Sequence, residues 1–405
     1  MDIAPIFSTL RRHKTAAALI VLEIALTSAI VCNALHLITT RVTQLQTPTG
    51  LVEDELVVLS ARGTGSGGDA DGITAQDLQA LRALPGVKAA TLSNQVVYAN
   101  SSNNTSIGLE PGQHQTRMSA ANYSASEGFI QTLGLKLVEG RDFRPEEYQL
   151  RSVVNQQANP VIGQVIINRS LAQRLWPGQS ALGQKLYAFG DNALTVVGVL
   201  EQLPHPHPVR TPDRKDYAML LPVKPAYYGG PYLLRTEPAQ REAVLKAATA
   251  ALERVDATRV VSKPRLLTEM RSEYYAQDRA MVGLMGGVIV ALMVVTAFGI
   301  VGLASFWVQQ RTRMIGTRRA LGATRAQIRG YFQLENFLLA SVGIVLGLAG
   351  AVALNQLLMQ LYALPQLPLH YLPVAALALW ALGQVAVLGP ARRAAALPPV
   401  QALRS

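Results

Sequence analysis

The chain has 405 residues, of which 49% are hydrophobic and 16% are charged, and its formal net charge at pH 7 is +11. Soluble domains carry about 25% charged residues, so this composition excludes a wholly soluble protein. The single cysteine, Cys32, excludes a disulfide framework and a thiolate metal cluster. Composition therefore favours a protein that resides in a membrane.

Four segments are long and apolar enough to cross a bilayer, which takes about 20 helical residues. They are residues 15–38, 281–308, 337–361 and 371–388. The first is interpreted as an uncleaved anchor, because its apolar run exceeds the usual signal-peptide core and no A-x-A cleavage site ends it. The sequence predicts a membrane α-helical protein with four transmembrane helices.

Basic residues flank these segments unevenly. Twelve Lys and Arg stand in residues 1–14, in the 309–336 loop and in residues 389–405, whereas residues 362–370 carry none. By the positive-inside rule, both termini and the loop are cytoplasmic, and residues 40–280 lie on the other side. The net charge is therefore interpreted as a topology signal. We expect the lipid bilayer, and no nucleic acid, as a partner.

The region 40–280 alternates strand and helix patterns. "DELVVLSA" and "KAATLSNQVVYA" indicate strands around a helix with Thr74 as its N-cap, and "YLLRT" and "TRVVSK" indicate strands around a second helix. Residues from about 121 to 222 form a different block between these units. We expect a large extracytoplasmic α/β (α+β) domain with two subdomains. A charged helix from Leu266 to Arg279 is predicted to run directly into the second membrane segment.

Three stretches carry a resemblance to a known family. They are "RTRMIGTRRALGATRAQIRGYFQLENFLLASVGIVLGLAGA" from Arg311, "VIINRSLAQRLWPGQSALGQKLYA" together with "LGLKLVEGRDF" and "LTVVGVLEQL", and the C-terminal "PARRAAALPPVQALR". In these stretches the chain resembles the MacB/FtsX-like permeases of bacterial ABC transporters. The order of one span, a large external domain and three spans is also similar to that family.

The resemblance implies partners that the sequence does not contain. MacB proteins carry an ATPase domain on the same chain, but this sequence has no G-x-x-x-x-G-K-[ST] loop, whose amides and Lys hold nucleotide phosphates. The resemblance therefore implies a separate ATPase subunit that binds ATP and Mg, and no cofactor on this chain. It also implies a second permease copy or a paralogue, a periplasmic adaptor, an outer-membrane channel, and a place in the bacterial inner (cytoplasmic) membrane.

The same resemblance assigns the 309–336 loop as a coupling helix for the ATPase. Its candidate residues are Arg311, Arg313, Ile315, Arg318, Arg319, Leu321, Gly322, Arg325 and Ile328. The apolar members would insert into an ATPase groove or pack beneath the spans. Alternatively, the arginines only set the topology and attract anionic lipid, at about 1 kcal/mol each.

Polar residues inside the first span form a second set of candidates. An acid such as Glu23 costs ~2.5–3.5 kcal/mol at the centre of a membrane helix, so we expect Glu23, Thr27 and Asn33 to face the interior of the helix bundle. A hydrogen-bond clamp between helices or protomers is the favoured interpretation. A proton relay is the alternative, but it needs a chain of titratable partners, and the other spans offer only Glu335 near a cytoplasmic edge.

Small residues one helical turn apart mark two of the spans. Gly283 and Gly287 form such a pair in the second span, and Gly343 and Gly347 form one in the third. Small residues let helix backbones approach closely in lipid. A seam between two protomers and packing within one chain both fit this pattern.

The sequence predicts neither a catalytic nor a metal site. It has no G-x-S-x-G motif, and His205 and His207 have no further ligand at a metal-binding spacing. We predict the permease subunit of an ATP-driven, MacB-type efflux transporter that works by mechanotransmission. Its substrate would be periplasmic, such as a peptide, a lipoprotein or a drug. The alternative is an FtsX-like signalling or scaffold protein that controls an extracytoplasmic hydrolase.

Overall fold

The computed structural model describes residues 14–63, 69–99, 102–111, 118–207, 216–362, 366–396 and 398. The chain divides into a helical unit, Met1–Gln46 with Gln277–Ser405, and an α/β unit, Thr47–Ala276.

The helices are, in chain order, α1 (Lys14–Gln46), α2 (Ala70–Arg82), α3 (Phe129–Leu133), α4 (Arg151–Asn155), α5 (Arg169–Leu175), α6 (Arg241–Val255), α7 (Leu267–Tyr274), α8 (Ala276–Gln310), α9 (Thr312–Ala320), α10 (Arg325–Tyr362) and α11 (Tyr371–Ala396). The strands are β1 (Leu56–Leu59), β2 (Ala61–Gly63), β3 (Val87–Leu92), β4 (Asn104–Ser106), β5 (Ser119–Ser124), β6 (Leu137–Gly140), β7 (Gln149–Leu150), β8 (Gln164–Asn168), β9 (Lys185–Tyr187), β10 (Ala193–Leu200), β11 (Ala218–Leu221), β12 (Val223–Lys224), β13 (Tyr232–Thr236), β14 (Arg259–Val261) and β15 (Arg265–Leu266).

Four helices of the helical unit are long and apolar enough to cross a membrane, namely α1, α8, α10 and α11. Ile20 and Ile24 of α1, Ile300 of α8, Ile344 of α10 and Leu379 of α11 meet in one apolar cluster. With 38 residues, α10 is about 57 Å long, which exceeds the ~30 Å hydrocarbon layer of a bilayer. Each of the four helices extends beyond the apolar segment that the sequence marks, because polar residues at the ends continue the helical hydrogen bonding.

The junction between α7 and α8 differs from the prediction. One continuous helix was expected from Leu266 to Arg279, but α7 ends at Tyr274 and α8 begins at Ala276. Tyr275 leaves the helical conformation with φ −92° and ψ 8°. Its ring packs at 5.0 Å from that of Tyr274 and at 5.9 Å from that of Tyr98. The prediction of an unbroken helix was wrong because the contact of Tyr275 with Tyr98 joins segments that are distant in sequence.

The first lobe of the α/β unit is an antiparallel sheet with the strand order β15-β1-β13-β3. Helices α2 and α6 cover one face, where Val57 and Leu59 of β1 pack with Leu81 and Leu252. Successive strand residues face opposite sides, so the neighbouring residues of the "LVVL" run point into a different core. The run is buried throughout because both faces of the sheet are covered.

Helix α2 begins earlier than expected. Asp69 is its N-cap and accepts a hydrogen bond from the backbone N–H of Gly72. Thr74, the predicted N-cap, lies inside the helix and donates to the carbonyl of Ala70 at 2.7 Å. The polar, glycine-rich sequence ahead of Thr74 hid the helix start.

The second lobe is a seven-stranded mixed sheet with the order β4-β5-β11-β8-β10-β6, and β9 pairs with β10. It begins at Asn104, ahead of the expected start near residue 121, because the three-residue β4 has no hydrophobic alternation to mark it. Tyr123, Ile166 and Leu220 of this lobe pack with Leu56 and Leu233 of the first. The two lobes therefore share an apolar core.

Candidate functional site

The segment between α8 and α10 is built around a buried ion pair. Only Arg311 separates α8 from α9, and its Nη1 donates to both carboxylate oxygens of Glu335 in α10, at 2.7 and 3.0 Å. The side chains are 8% and 1% exposed. The Arg311 guanidinium also lies 5.5 Å from the centre of the Trp307 ring. Charge-assisted hydrogen bonds are strong, so this pair fixes the start of α9 against α10.

The turn between α9 and α10 is closed by backbone and side-chain caps. Gly322 has a φ of +98°. The N–H of Gly322 bonds the carbonyl of Arg319, and that of Ala323 bonds the carbonyl of Arg318, at 3.2 and 3.0 Å. This is a Schellman motif, which needs a residue at positive φ and therefore favours glycine.

Thr324 and Gln327 then form a capping box at the start of α10. The Thr324 Oγ1 accepts from the N–H of Gln327 at 3.2 Å, and the Gln327 Oε1 accepts from the N–H of Thr324 at 2.8 Å. Reciprocal bonds of this kind satisfy N–H groups that a helix start leaves unpaired. We call residues 321–324 the coupling turn.

The structure separates the three apolar candidates of this segment. Ile315 and Ile328 are buried against Phe332 of α10 and Ala394 of α11. Leu321, at the coupling turn, is 84% exposed. The two isoleucines thus pack within the helical unit, and Leu321 is the apolar candidate that another protein could contact.

The arginines of the segment also differ in their surroundings. Arg313 and Arg325 are exposed, as is Arg329, whereas Arg318 and Arg319 are half-buried. The Arg318 guanidinium lies 4.9 Å from the centre of the Tyr331 ring. Arg311 is occupied by Glu335, so it is placed to hold the segment rather than to meet a partner.

The polar residues of the first span join helices within the chain. The hydroxyl groups of Thr27 and Thr296 are hydrogen-bonded at 2.9 Å, and the Asn33 Nδ2 donates to the carbonyl of Ala351 at 3.1 Å. The half-buried Glu23 carboxylate lies against Gly299, where an added Cβ would come within 2.7 Å of its Oε1. Glu335, the only further titratable residue that the spans offered for a relay, is paired with Arg311.

The two glycine pairs have different environments. A Cβ added at Gly343 or Gly347 would lie 2.9 Å from the Cβ of Ile24 or 2.6 Å from the Cβ of Ser28, so both glycines permit close packing of α10 on α1. A Cβ at Gly283 or Gly287 would meet nothing within 4 Å among the described residues. The α10 pair serves packing within the chain, while the α8 pair faces open space.

Two interactions lie outside every predicted candidate set. Arg41 of α1 forms an ion pair with the buried Asp278 of α8. In the α/β unit, Glu53 accepts from the Thr49 and Tyr98 hydroxyls, both at 2.6 Å, and from Arg271 Nη1 at 2.7 Å. Burial raises the pKa of Tyr98, so its hydroxyl stays a donor. The only sequence signal for the Arg41–Asp278 pair was the presence of charged residues near the ends of two predicted spans.

Comparisons with known proteins identify the family of the chain. The MacB-like periplasmic core domain matches residues 15–255, and the FtsX-like permease C-terminal domain matches residues 286–399. The uncharacterized ABC transporter permease YknZ of Bacillus subtilis is 23% identical over 338 residues, covering 82% of this chain and 79% of YknZ. The macrolide export ATP-binding/permease protein MacB of Bdellovibrio bacteriovorus is 25% identical over 433 residues, covering 98% of this chain and 60% of that protein.

Among solved structures, the extracellular domain of YknZ covers 51% of this chain and 99% of its own, with a TM-score of 0.33 and 17% identity. The core-domain match alone spans more than half of the chain. The protein therefore belongs to the MacB/FtsX-like family of ABC transporter permeases, with four membrane helices and an extracellular α/β domain.

Proposed function

We propose that this chain is the permease subunit of an ATP-driven exporter, and that a separate ATPase subunit with its ATP and Mg docks on the coupling turn. The observation that carries the proposal is the exposure of Leu321 on a turn that is closed by caps on both sides. An exposed leucine on a rigid turn, flanked by the exposed Arg313 and Arg325, offers a partner both apolar contact and charge.

Movement of the coupling turn would reach the second span directly. Helix α9 follows α8 after Arg311, and the bond from Arg311 to Glu335 joins the same point to α10. A displacement of the turn therefore moves the end of α8 and the start of α10 together. Such a joint shift of rigid helices is a recognised way to couple a nucleotide state to a distant domain.

The second span has the exposure expected of a moving element. Between residues 279 and 295, α8 has no buried side chain, whereas Thr296, Ile300 and Trp307 further along are buried. The open face with Gly283 and Gly287 supports a second permease copy, or a paralogue, along this part of α8. Without a second copy or a paralogue, lipid would cover this face of α8.

On the α/β side, Glu53 supports transmission from α7. The carboxylate binds Arg271 of α7 together with Thr49 and Tyr98, so α7 is joined to two other segments of that unit. Because α7 precedes α8 by a single residue in the chain, we propose that a pull on α8 reaches the α/β unit through α7.

The lining of the spans favours a substrate handled outside the membrane. Thr27, Thr296 and Asn33 bond one another or the backbone, so they do not line a polar pathway for a solute. We propose export of a periplasmic substrate such as a peptide, a lipoprotein or a drug, with an adaptor and an outer-membrane channel. The termini and the coupling turn would be cytoplasmic, in the inner membrane.

Co-purification with the ATPase tests the docking proposal. The double change Leu321→Asp with Arg325→Glu should reduce the amount of bound ATPase about tenfold, because it places two negative charges where an apolar and a basic group stood. The matched control is Leu369→Asp, since Leu369 is a 76% exposed leucine in the turn before α11. Normal ATPase recovery with the double variant would refute docking at this turn.

A further inference from the structure

A cavity of about 410 Å³ opens in the α/β unit where the two lobes meet. Asp71 of α2 belongs to the first lobe, Asn122 of β5 and Arg151 of α4 belong to the second, and Tyr228 follows β12. Cavities of this size are in the range that binds small ligands. The two lobes that form its walls are held together by their shared apolar core.

Arg151 is a cation in the wall of the cavity. Its Nη2 donates to the Ser124 Oγ at 2.5 Å, and among the described residues no carboxylate lies within ion-pair distance of it. Asp71, the acid in the cavity wall, instead accepts from the Ser152 hydroxyl. Burial lowers the pKa of Arg151, and no neighbouring acid opposes that shift. The remaining N–H donors of the guanidinium can therefore take a ligand carboxylate in a bidentate geometry.

Asparagine amides give the same cavity a mixed donor and acceptor surface. Asn103 and Asn155 line it and are exposed, and within the described part of the chain no hydrogen bond joins either side-chain amide to another residue. Each amide can donate and accept, which matches the alternating N–H and C=O groups of a peptide backbone. Tyr228 is 65% exposed, and its ring offers an apolar contact at the cavity mouth.

We propose that this cavity binds the C-terminal end of a short peptide, with the free carboxylate on Arg151 and the peptide groups on Asn103 and Asn155. A single cation matches the one negative charge of a carboxylate. A phosphate group carries ≈ −1.5 to −2 and would leave charge unbalanced beside Asp71. Carboxylate and peptide groups together fit the lining better than an inorganic anion does.

This inference does not depend on the coupling turn or on an ATPase. The cavity lies in the α/β unit, and binding can be measured on the purified full chain in lipid nanodiscs without any partner. A failure of ATPase docking would leave the binding result unchanged, and the reverse also holds.

Isothermal titration with tri-alanine and with its C-terminal amide tests the proposal. We expect the acid to bind about tenfold or more tightly than the amide, because a hydrogen bond to a charged group is stronger than one to a neutral group. Arg151→Gln should remove that difference. Arg174→Gln, a change of an exposed helical arginine outside the cavity, should preserve it.

Tyr228→Ala supplies a second variant that does not threaten folding, because this ring is mostly exposed. It should weaken tri-alanine binding severalfold while the chain keeps its thermal midpoint. Equal binding of the acid and the amide, unchanged binding by Arg151→Gln, or no binding of tri-alanine at millimolar concentration would each overturn the proposal. Competition by inorganic phosphate as strong as that by tri-alanine would also overturn it.

Discussion

The pair of Arg311 and Glu335 shows how one interaction sets the position of a whole segment. Both side chains are nearly fully buried, and Arg311 is the residue between α8 and α9. A buried charge is tolerated when it is paired, and it is costly when its partner is removed. At this position the pair therefore links three helices at one point.

Glu335→Gln should destabilise the helical unit by about 3–5 kcal/mol, because it leaves the Arg311 charge buried without its partner. Thermal unfolding of the purified chain in detergent measures the loss. The double variant Arg311→Met with Glu335→Leu should recover most of the stability, since it removes both charges. If Glu335→Gln unfolds at the wild-type temperature, the pair does not hold this segment.

Gly140 explains part of the "LVEGRDF" motif at the residue scale. Its φ is +76°, and an added Cβ would lie 2.7 Å from the Leu182 Cδ2 and 2.9 Å from the Gly198 Cα. Beside it, Arg141 binds both carboxylate oxygens of Glu147, at 2.6 and 2.8 Å, which lowers the pKa of Glu147. The motif encodes a tight turn against β10.

Gly140→Ala should lower the unfolding free energy of the α/β unit more than Gly178→Ala does. Gly178 has a similar φ of +73°, but a Cβ there meets nothing within 4 Å. Gly178→Ala therefore measures only the cost of placing alanine at a positive φ, about 1–2 kcal/mol, without a steric clash. Urea unfolding followed by circular dichroism compares the two variants. Equal losses would show that the close approach to β10 carries no cost.

The Arg141–Glu147 pair makes the stability of the second lobe depend on pH. Because the folded-state pKa of Glu147 lies below its ordinary value of 4.5, the pair contributes fully above that value. The contribution is lost as the pH falls through the lower folded pKa. Arg141→Gln should therefore make the midpoint of urea unfolding fall less steeply as the pH is lowered from 7 to below the pKa of Glu147. A variant whose midpoint falls as steeply as that of the wild type would contradict this prediction.

At the scale of elements, the coupling turn is an example of local rules acting together. Gly322 supplies the positive φ of the Schellman motif, and Thr324 with Gln327 supplies the capping box of α10. Leu321 stays exposed at this turn because the chain reverses direction within a few residues. The bonds of the Schellman motif and of the capping box therefore hold the turn between the two helices.

Thr324→Ala should speed hydrogen exchange at the amide of Gln327, because that N–H loses the hydroxyl that accepts its bond. The cost to the helix start is about 1 kcal/mol. Thr324→Ser keeps the hydroxyl and should exchange as the wild type does. Protection that is the same in all three proteins would show that the capping box does not order the turn.

At the scale of the whole molecule, the charge distribution predicts the side of the membrane on which each part lies. In a Cys32→Ala background, Gln179→Cys should react with a membrane-impermeant maleimide in intact spheroplasts, whereas Arg325→Cys should react only after lysis. Both positions are exposed, so access alone decides the reaction. The reverse pattern of labelling would overturn the proposed orientation.

The sequence by itself determined the class of the protein. Apolar runs longer than a bilayer thickness predict membrane helices, and strand and helix periods predict an α/β domain, because both signals are local along the chain. The family also followed from sequence, since "VEGRDF" and the segment from Arg311 carry the resemblance. These signals predicted a continuous helix across Tyr275, which was wrong, and they did not reveal the strand at Asn104.

Only the tertiary structure decided which of the candidate residues face outward. Ile315, Leu321 and Ile328 have similar side chains and lie close in sequence, but α10 and α11 cover the first and the last while Leu321 stays exposed. The sequence likewise does not distinguish Arg311 from Arg325, whereas in the structure Arg311 forms an ion pair with Glu335. The cavity around Arg151 gathers residues from both lobes. Burial and pairing depend on contacts between segments distant in the chain, which local sequence patterns do not specify.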